Sequence, residues 1–212
     1  AIYLVVDEVE DWQRYAFLNE EFDERLRVTF TGGGFGGAKA RNVGLDQASE
    51  EFVFFLDDDD EWLPTKIEKQ MMRLNARPDV IGVTCGRFLI SSDKETTIVE
   101  AERHVRRYYR MENLIGGFSS FGFRRNSLVQ SLRLDGSLRS AQDYDFYLRL
   151  FKYGEVGVVE EPLIRFHLHD AVRITTSSHS HRFDTLMRVL ESNRALFSSR
   201  EYRFCRAKIE LM

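Results

Sequence analysis

Residues 2–6 are wholly apolar but for Tyr3 and rich in branched side chains; Asp7 and Glu8 halt the run, which predicts a buried strand. Asp11 then stands at a helix N-cap position, and Trp12, Tyr15, Phe22 and Leu26 follow at roughly helical spacing. Residues 26–31 predict a second strand. It feeds a loop of glycines at 32, 33, 34, 36 and 37 around Phe35, and a helix over about 38–48. Residues 51–56 are nearly continuous in hydrophobicity, as in a central strand of a parallel sheet, and they end on Asp57, Asp58, Asp59 and Asp60. Strand, helix, strand, helix, strand with short links predicts an α/β sheet with right-handed crossovers.

The second half continues in the same manner. Pro64 is placed to begin a helix with Ile67, Met71 and Leu74 on one face. Residues 80–90 and 96–100 predict strands joined by a turn at 91–94, and 118–123 a further strand. A helix is predicted over 142–153 with Phe146, Leu150 and Tyr153 on its apolar face, then strands at 156–159 and 163–168, then a helix at 182–197. There is no internal repeat and no low-complexity segment.

Composition bounds this picture. A chain of 212 residues fits one domain of ordinary size or slightly more, and 43% hydrophobic residues with three prolines mark it as globular. A formal charge of -4 gives no overall attraction to nucleic acid, so no nucleic-acid partner is expected. Arg103, Arg106, Arg107 and Arg110 form the densest basic stretch; it reads as a solvated face, with a surface for anionic lipid or an acceptor as the alternative. Cys85 and Cys205 match no metal or redox spacing and suit a reducing compartment. With no long apolar run and no leader pattern, the chain as given reads as soluble, with no transmembrane segment. The expected location is cytoplasmic, or peripheral at the inner face of a membrane.

Chemistry concentrates where the third predicted strand ends. Ligands of open α/β sheets bind outside the carboxyl ends of the strands, the position of Asp57 to Asp60. Adjacent carboxylates repel unless solvent or a cation offsets them, and an all-oxygen donor set favours Mg²⁺ or Mn²⁺. A solvated acidic turn capping the next helix is the plainer alternative. An EF-hand is excluded, because Trp62 stands where that loop needs glycine. Gly32, Gly34 and Gly37 satisfy G-x-G-x-x-G between a strand and a helix, with Asp57 twenty residues beyond Gly37, so an NAD(P)-binding Rossmann-type oxidoreductase is a second reading. A third is a non-catalytic nucleotide- or sugar-binding domain.

Read together, these pieces resemble one family. Ala40-Arg41-Asn42-Val43-Gly44 behind Gly37, then Leu56-Asp57-Asp58-Asp59-Asp60, then Trp62-Leu63-Pro64 with Lys66 and Glu68, resemble the G-x-x-x-A-R-N-x-G, D-x-D-D and W-x-P-x-K-x-E segments of the family-2 GT-A glycosyltransferases. Phe121-Gly122-Phe123-Arg124-Arg125 resembles the strand before their acceptor region. Gln142-Asp143-Tyr144-Asp145, running on to Arg149-Leu150, resembles their E-D-x-D-x-x-x-R-L helix, and Ile164-Arg165-Phe166-His167 their closing Y-R-x-H. The matches span about residues 2–169 in order.

The resemblance implies a GT-A type, Rossmann-like, mostly parallel sheet flanked by helices, lacking the strand–helix unit with which the family normally opens; a trimmed chain accounts for that. The alternative to a trimmed chain is a sheet without that inner strand, and the trimmed chain is the expectation because a missing inner strand would leave backbone groups unpaired and apolar surface exposed. The resemblance implies a domain over 1–180, nucleotide-binding in 1–90 and acceptor-binding and catalytic in 91–180, with a helical extension over 181–212. Asp7 or Glu8 and Arg41 would contact the nucleotide, Asp57 and Asp58 the ribose and metal, and Asp59 would be the first metal ligand, with Asp57 and His167 (His169 as substitute) beside it. Asp143 would be the general base. Arg41 could instead form an ion pair, Asp143 could be only a helix N-terminal acid, and His167 could be structural. The implied partners are a nucleotide-sugar donor, most simply a UDP-sugar, and a carbohydrate or lipid-linked acceptor. The implied reaction is metal-assisted transfer to a hydroxyl with inversion. Gln142, where the family usually has glutamate, departs from the pattern.

Overall fold

A computed structural model describes residues 1–8, 24–92, 94–126, 129–168 and 179–212. Strands β1 (Ile2–Val6) and β2 (Leu26–Phe30) pair in parallel, Ile2 opposite Leu26 and Val6 opposite Phe30. The helix expected after Asp11 falls on residues 9–23, outside the described residues, as does His169. Helix α1 (Gly37–Gln47) follows the glycine loop and lies against β1, with Ala38 and Leu45 buried.

The main sheet has six strands in the order β3 (Phe52–Phe54), β7 (Gly122–Arg124), β5 (Val80–Ile90), β8 (Glu155–His167), β4 (Asp60–Trp62), with β6 (Glu95–Ile98) paired to β5. The α/β class expected from the sequence holds, but the sheet is mixed rather than mostly parallel. Within it only β5 and β8 run parallel; the other pairings are antiparallel, because β6 returns on β5 as a hairpin and β7 enters between β3 and β5. β3 correspondingly takes an end position instead of the centre. Its unbroken hydrophobicity has another cause: Phe52 and Phe54 pack on the Leu74, Val80 and Val83 cluster, while Val53 and Phe55 pack on the principal core.

Helix α2 (Lys66–Ala76) buries Leu74 into the first of those clusters. The principal core is aromatic: Phe118, Phe121, Phe123, Phe146 and Tyr147 are all buried, with ring centroids 4.5 Å apart for Phe121 and Tyr147 and 5.5 Å for Phe123 and Phe146. Phe146 and Tyr147 come from α4 (Gln142–Leu150), which stops short of Tyr153, an exposed residue. The two strands expected at 156–159 and 163–168 are one, β8, in which Glu160 and Glu161 are taken up as an irregularity between the Cys85–Val159 and Gly86–Pro162 pairings. The strand expected at 118–123 is split into a 3₁₀ turn, Phe118–Ser120, and β7.

Helix α3 (Glu102–Tyr108) carries the basic stretch; Val105 is buried and Arg106 pairs with Glu102 and Glu155. Helices α5 (His179–Ser192) and α6 (Ser199–Glu210) close the chain, packing Val189, Leu190, Cys205 and Ile209 against Leu138 and Leu148. No helix among the described residues is long and apolar enough to cross a membrane.

Candidate active site

The acidic run forms the turn between β3 and β4, closed by the Asp60 N–H donating to the Asp57 carbonyl at 3.2 Å. Asp58 and Asp59 are exposed on it, Asp57 is half-buried and Asp60 buried. The 3₁₀ turn Phe118–Ser120 holds this corner from below. Ser119 Oγ accepts the Asp57 N–H at 3.0 Å and bonds the Asp60 carboxylate, while its carbonyl accepts from Trp62 Nε1 at 2.8 Å. Behind it, the fully buried Lys66 donates to Gln70 Oε1 at 2.7 Å and lies 4.2 Å from the Trp62 ring centre; Gln70 in turn donates to the Ser120 carbonyl at 2.8 Å.

Asp60 is the residue this packing strains electrostatically. Its pKa is pushed up to about 6, first by burial and then by the charges of Asp59 and Asp57, against bonds from Ser119 and the His167 N–H. Its Oδ2 is buried with no hydrogen-bond partner among the described residues. A crowded set of carboxylates of this kind fits a hard cation. Among the described residues no three His, Cys, Asp or Glu side chains form a metal cage, so such a cation would complete its shell with phosphate oxygens.

Arg41, projecting from α1, connects the acid corner electrostatically with the start of α4. Its guanidinium is ion-paired with Asp57 and lies 4.7 Å from the Phe118 ring centre. The ion pair weighed for Arg41 therefore exists, and it lies within the site. The same positive charge acts on Asp143 near the start of α4, opposing the burial that raises the Asp143 pKa. Asn113 Nδ2 donates to Asp143 Oδ2 at 2.9 Å, and the Tyr144 N–H to Oδ1 at 2.8 Å, which fixes the carboxylate in orientation. Just ahead of Gln142, Ala141 has φ 52°, the one non-glycine residue with positive φ among those described. Backbone strain of that kind collects at functional sites. Asp145 faces away from the cleft chemistry, held by Arg149 and Asn193.

The remaining candidates divide. His167 ends β8 beside the corner: its N–H donates to Asp60 Oδ1 at 3.3 Å and its Nε2 lies 3.0 Å from Glu61 Oε1. Asp7 is committed to the glycine loop, accepting from Thr31 Oγ1 and from the Phe35 and Gly36 N–H groups at 3.1 and 2.7 Å; those bonds outweigh burial and lower its pKa. Gly32, Gly33, Gly34 and Gly36 all have φ near +80°, so the loop's conformation requires glycine there. Glu8 is exposed at the end of β1, and Gln142 donates to the Leu138 carbonyl at 2.8 Å. Sequence reasoning passed over Ser119 and Asn113. Ser119 lies in the segment read as a strand and Asn113 outside any predicted element, and their roles arise from contacts 62 and 30 residues away.

Comparison with known proteins identifies the family and the fold. The family model described as "Glycosyl transferase family 2" matches residues 5–131. A relative from Escherichia coli (strain K12), named for colanic acid biosynthesis, is 29% identical over 150 residues, covering 67% of this chain and 52% of that one. The amylovoran biosynthesis glycosyltransferase AmsB of Erwinia amylovora is 26% identical over 172 residues, 76% of this chain and 54% of its own. The chain thus spans about half the length of these curated relatives. A crystal structure of S. aureus TarS 1-349 in complex with UDP-GlcNAc superposes with a TM-score of 0.68 at 14% identity, covering 97% of this chain and 62% of that one, which establishes a shared fold. On these grounds the chain belongs to glycosyl transferase family 2.

Proposed function

We propose that the chain carries the donor-binding and catalytic site of a glycosyltransferase that moves a sugar from a UDP-sugar to a hydroxyl of a carbohydrate or lipid-linked acceptor, with inversion. The observation that carries the proposal is Arg41, which is ion-paired with Asp57 of the acid corner and is also in electrostatic reach of Asp143. Arg41 thus links a turn rich in carboxylates with an enclosed carboxylate, which supports a shared site. The names of the relatives, which refer to polysaccharide biosynthesis, support a carbohydrate acceptor, and the UDP-GlcNAc bound to TarS supports a uridine nucleotide.

In this mechanism Asp59, with Asp57 and His167 beside it, would hold Mg²⁺ or Mn²⁺, and the ion would supply Lewis-acid stabilisation of a diphosphate leaving group. Asp57 and Asp58 face the ribose, while Asp7 shapes the glycine loop and Glu8 lies beside it at the end of β1. Arg41 supplies a fixed positive charge near the phosphates. Asp143, oriented by Asn113, takes the proton of the acceptor hydroxyl as its oxygen attacks the anomeric carbon. One base and one displacement invert that carbon. The dehydrogenase reading loses its support, since the family is that of glycosyl transfer.

The test is a donor screen by nucleotide release, with the longest natural form of the protein and Asp143→Asn. The wild type should release UDP from one UDP-sugar. Asp143→Asn should lower turnover by about 10²–10⁴-fold with UDP affinity kept. A variant that turns over normally removes Asp143 from catalysis, and a wild type that binds UDP without any turnover favours the binding-domain reading.

A further inference from the structure

Arg87, on β5, is a charged group the mechanism above does not use. Its side chain is half-buried, and among the described residues it makes no hydrogen bond and no ion pair; burial lowers its pKa, and the charge of Glu100 is the first that opposes this. A guanidinium carries five donors and is costly to enclose without acceptors. Close to it is a second unmet group. The Tyr147 side chain is 0% exposed, its hydroxyl has no hydrogen-bond partner, and the charges that act on it are those of Asp143, Asp57, Arg41 and Arg87. Arg87 thus offers a fork of donors with no partner among the described residues, and the unpartnered Tyr147 hydroxyl lies within electrostatic reach of it.

A chain of contacts ties Arg87 to the Asp143 side of the site. Asn113 donates to Asp143 and accepts the Gly116 N–H at 3.3 Å, and Gly116 lies directly over Arg87. A Cβ at Gly116 would come 2.6 Å from Arg87 Nη1, and its φ of 88° independently excludes larger residues, so the approach of the backbone to the guanidinium is specific to glycine. In the mechanism proposed above the donor diphosphate is met from the Asp57–Asp59 turn and Arg41. What faces Asp143 must be the acceptor.

We infer that Arg87, assisted by the Tyr147 hydroxyl, forms an oxyanion subsite that takes a carboxylate or phosphate carried by the acceptor. This rests on the reading of Asp143 as the base that faces the acceptor hydroxyl. Arg87 acts in binding and placement, with no bond made or broken at it. A planar fork of donors suits a carboxylate or phosphate in a two-point contact, and Lys in its place would supply charge without that geometry.

The experiment is calorimetric titration of inorganic phosphate, glucuronate and, as the neutral control, glucose into the protein saturated with UDP and Mn²⁺, repeated for glucuronate without UDP. Wild type should bind glucuronate or phosphate and prefer it to glucose. Arg87→Gln should weaken that binding at least tenfold while UDP affinity stays within twofold; Arg87→Lys should restore part of it, and Tyr147→Phe should cost several-fold without unfolding the core. Equal binding of glucose and glucuronate, no effect of Arg87→Gln or Arg87→Lys on the oxyanions, or a parallel loss of UDP affinity would overturn the inference. Failure of wild type to bind UDP would instead strike the donor reading, and the UDP-free glucuronate arm would still decide the subsite.

Discussion

Burial keeps Asp143 protonated to a higher pH than an exposed aspartate, and the charge on Arg41 pulls in the other direction. A general base works only when ionised, so activity must fall as pH falls through this raised pKa. The acidic limb of the kcat/KM profile should therefore lie above the usual aspartate range of about 4. Removing the Arg41 charge withdraws the opposing pull. Arg41→Gln should move that limb to still higher pH and weaken UDP binding, and a limb that stays in place would separate Arg41 from Asp143. The residues of this pair were legible in the sequence because each lies in a local pattern with fixed spacing. Asp7 stood out in the sequence as the acid that ends β1, but its contacts were not legible, since the backbone N–H groups it accepts from belong to a loop 28 and 29 residues further on. Asn113 was not legible at all, for its single informative contact is made across the fold.

Among the elements, the short turn Phe118–Ser120 does the most to shape the site, joining Asp57, Asp60 and Trp62 through one serine. Ser119→Ala leaves the Asp57 N–H and the Asp60 carboxylate short of a partner. We expect a loss of about 1–3 kcal/mol in urea unfolding, with metal-dependent UDP binding weakened as the corner loosens. Unchanged stability would mean that solvent replaces the hydroxyl. Sequence periodicity found β1, β2, β5 and helices α1, α2 and α4 because each carries a run or a regular spacing of apolar residues. It missed β4, whose three residues include Asp60 and Glu61: carboxylates are poor strand formers, and this strand exists only because the end of β8 pairs with it. It also stopped short of α6, although Ser198 and Glu201 form a capping box there. That signal was present in the sequence and local, so this omission was avoidable.

At the scale of the whole molecule, the cleft rests on a buried charge. Lys66 is fully enclosed, and burial lowers its pKa to about 8. The unfolded chain binds a proton there up to about pH 10.4, so between pH 8 and that value the unfolded state holds more protons and stability should rise with pH. Below pH 8 the cost of the enclosed charge is fully present. Lys66→Met should remove that rise, and the difference between the two stability curves should approach about 3 kcal/mol across the window. Parallel curves would show that Lys66 is solvated in the fold. The mixed sheet was the feature of this scale least legible in sequence, because strand direction depends on which strands pair, and β7 pairs with partners distant in the chain.

The central claim is that the turn Asp57–Asp60 grips a divalent cation that bridges to a nucleoside diphosphate. Calorimetric titration of UDP into wild type and Asp59→Asn, each with and without Mn²⁺, addresses it most directly. The account predicts that Mn²⁺ tightens UDP binding to wild type by tenfold or more and that Asp59→Asn loses this gain. UDP affinity indifferent to Mn²⁺, or a gain retained in full by Asp59→Asn, would contradict it.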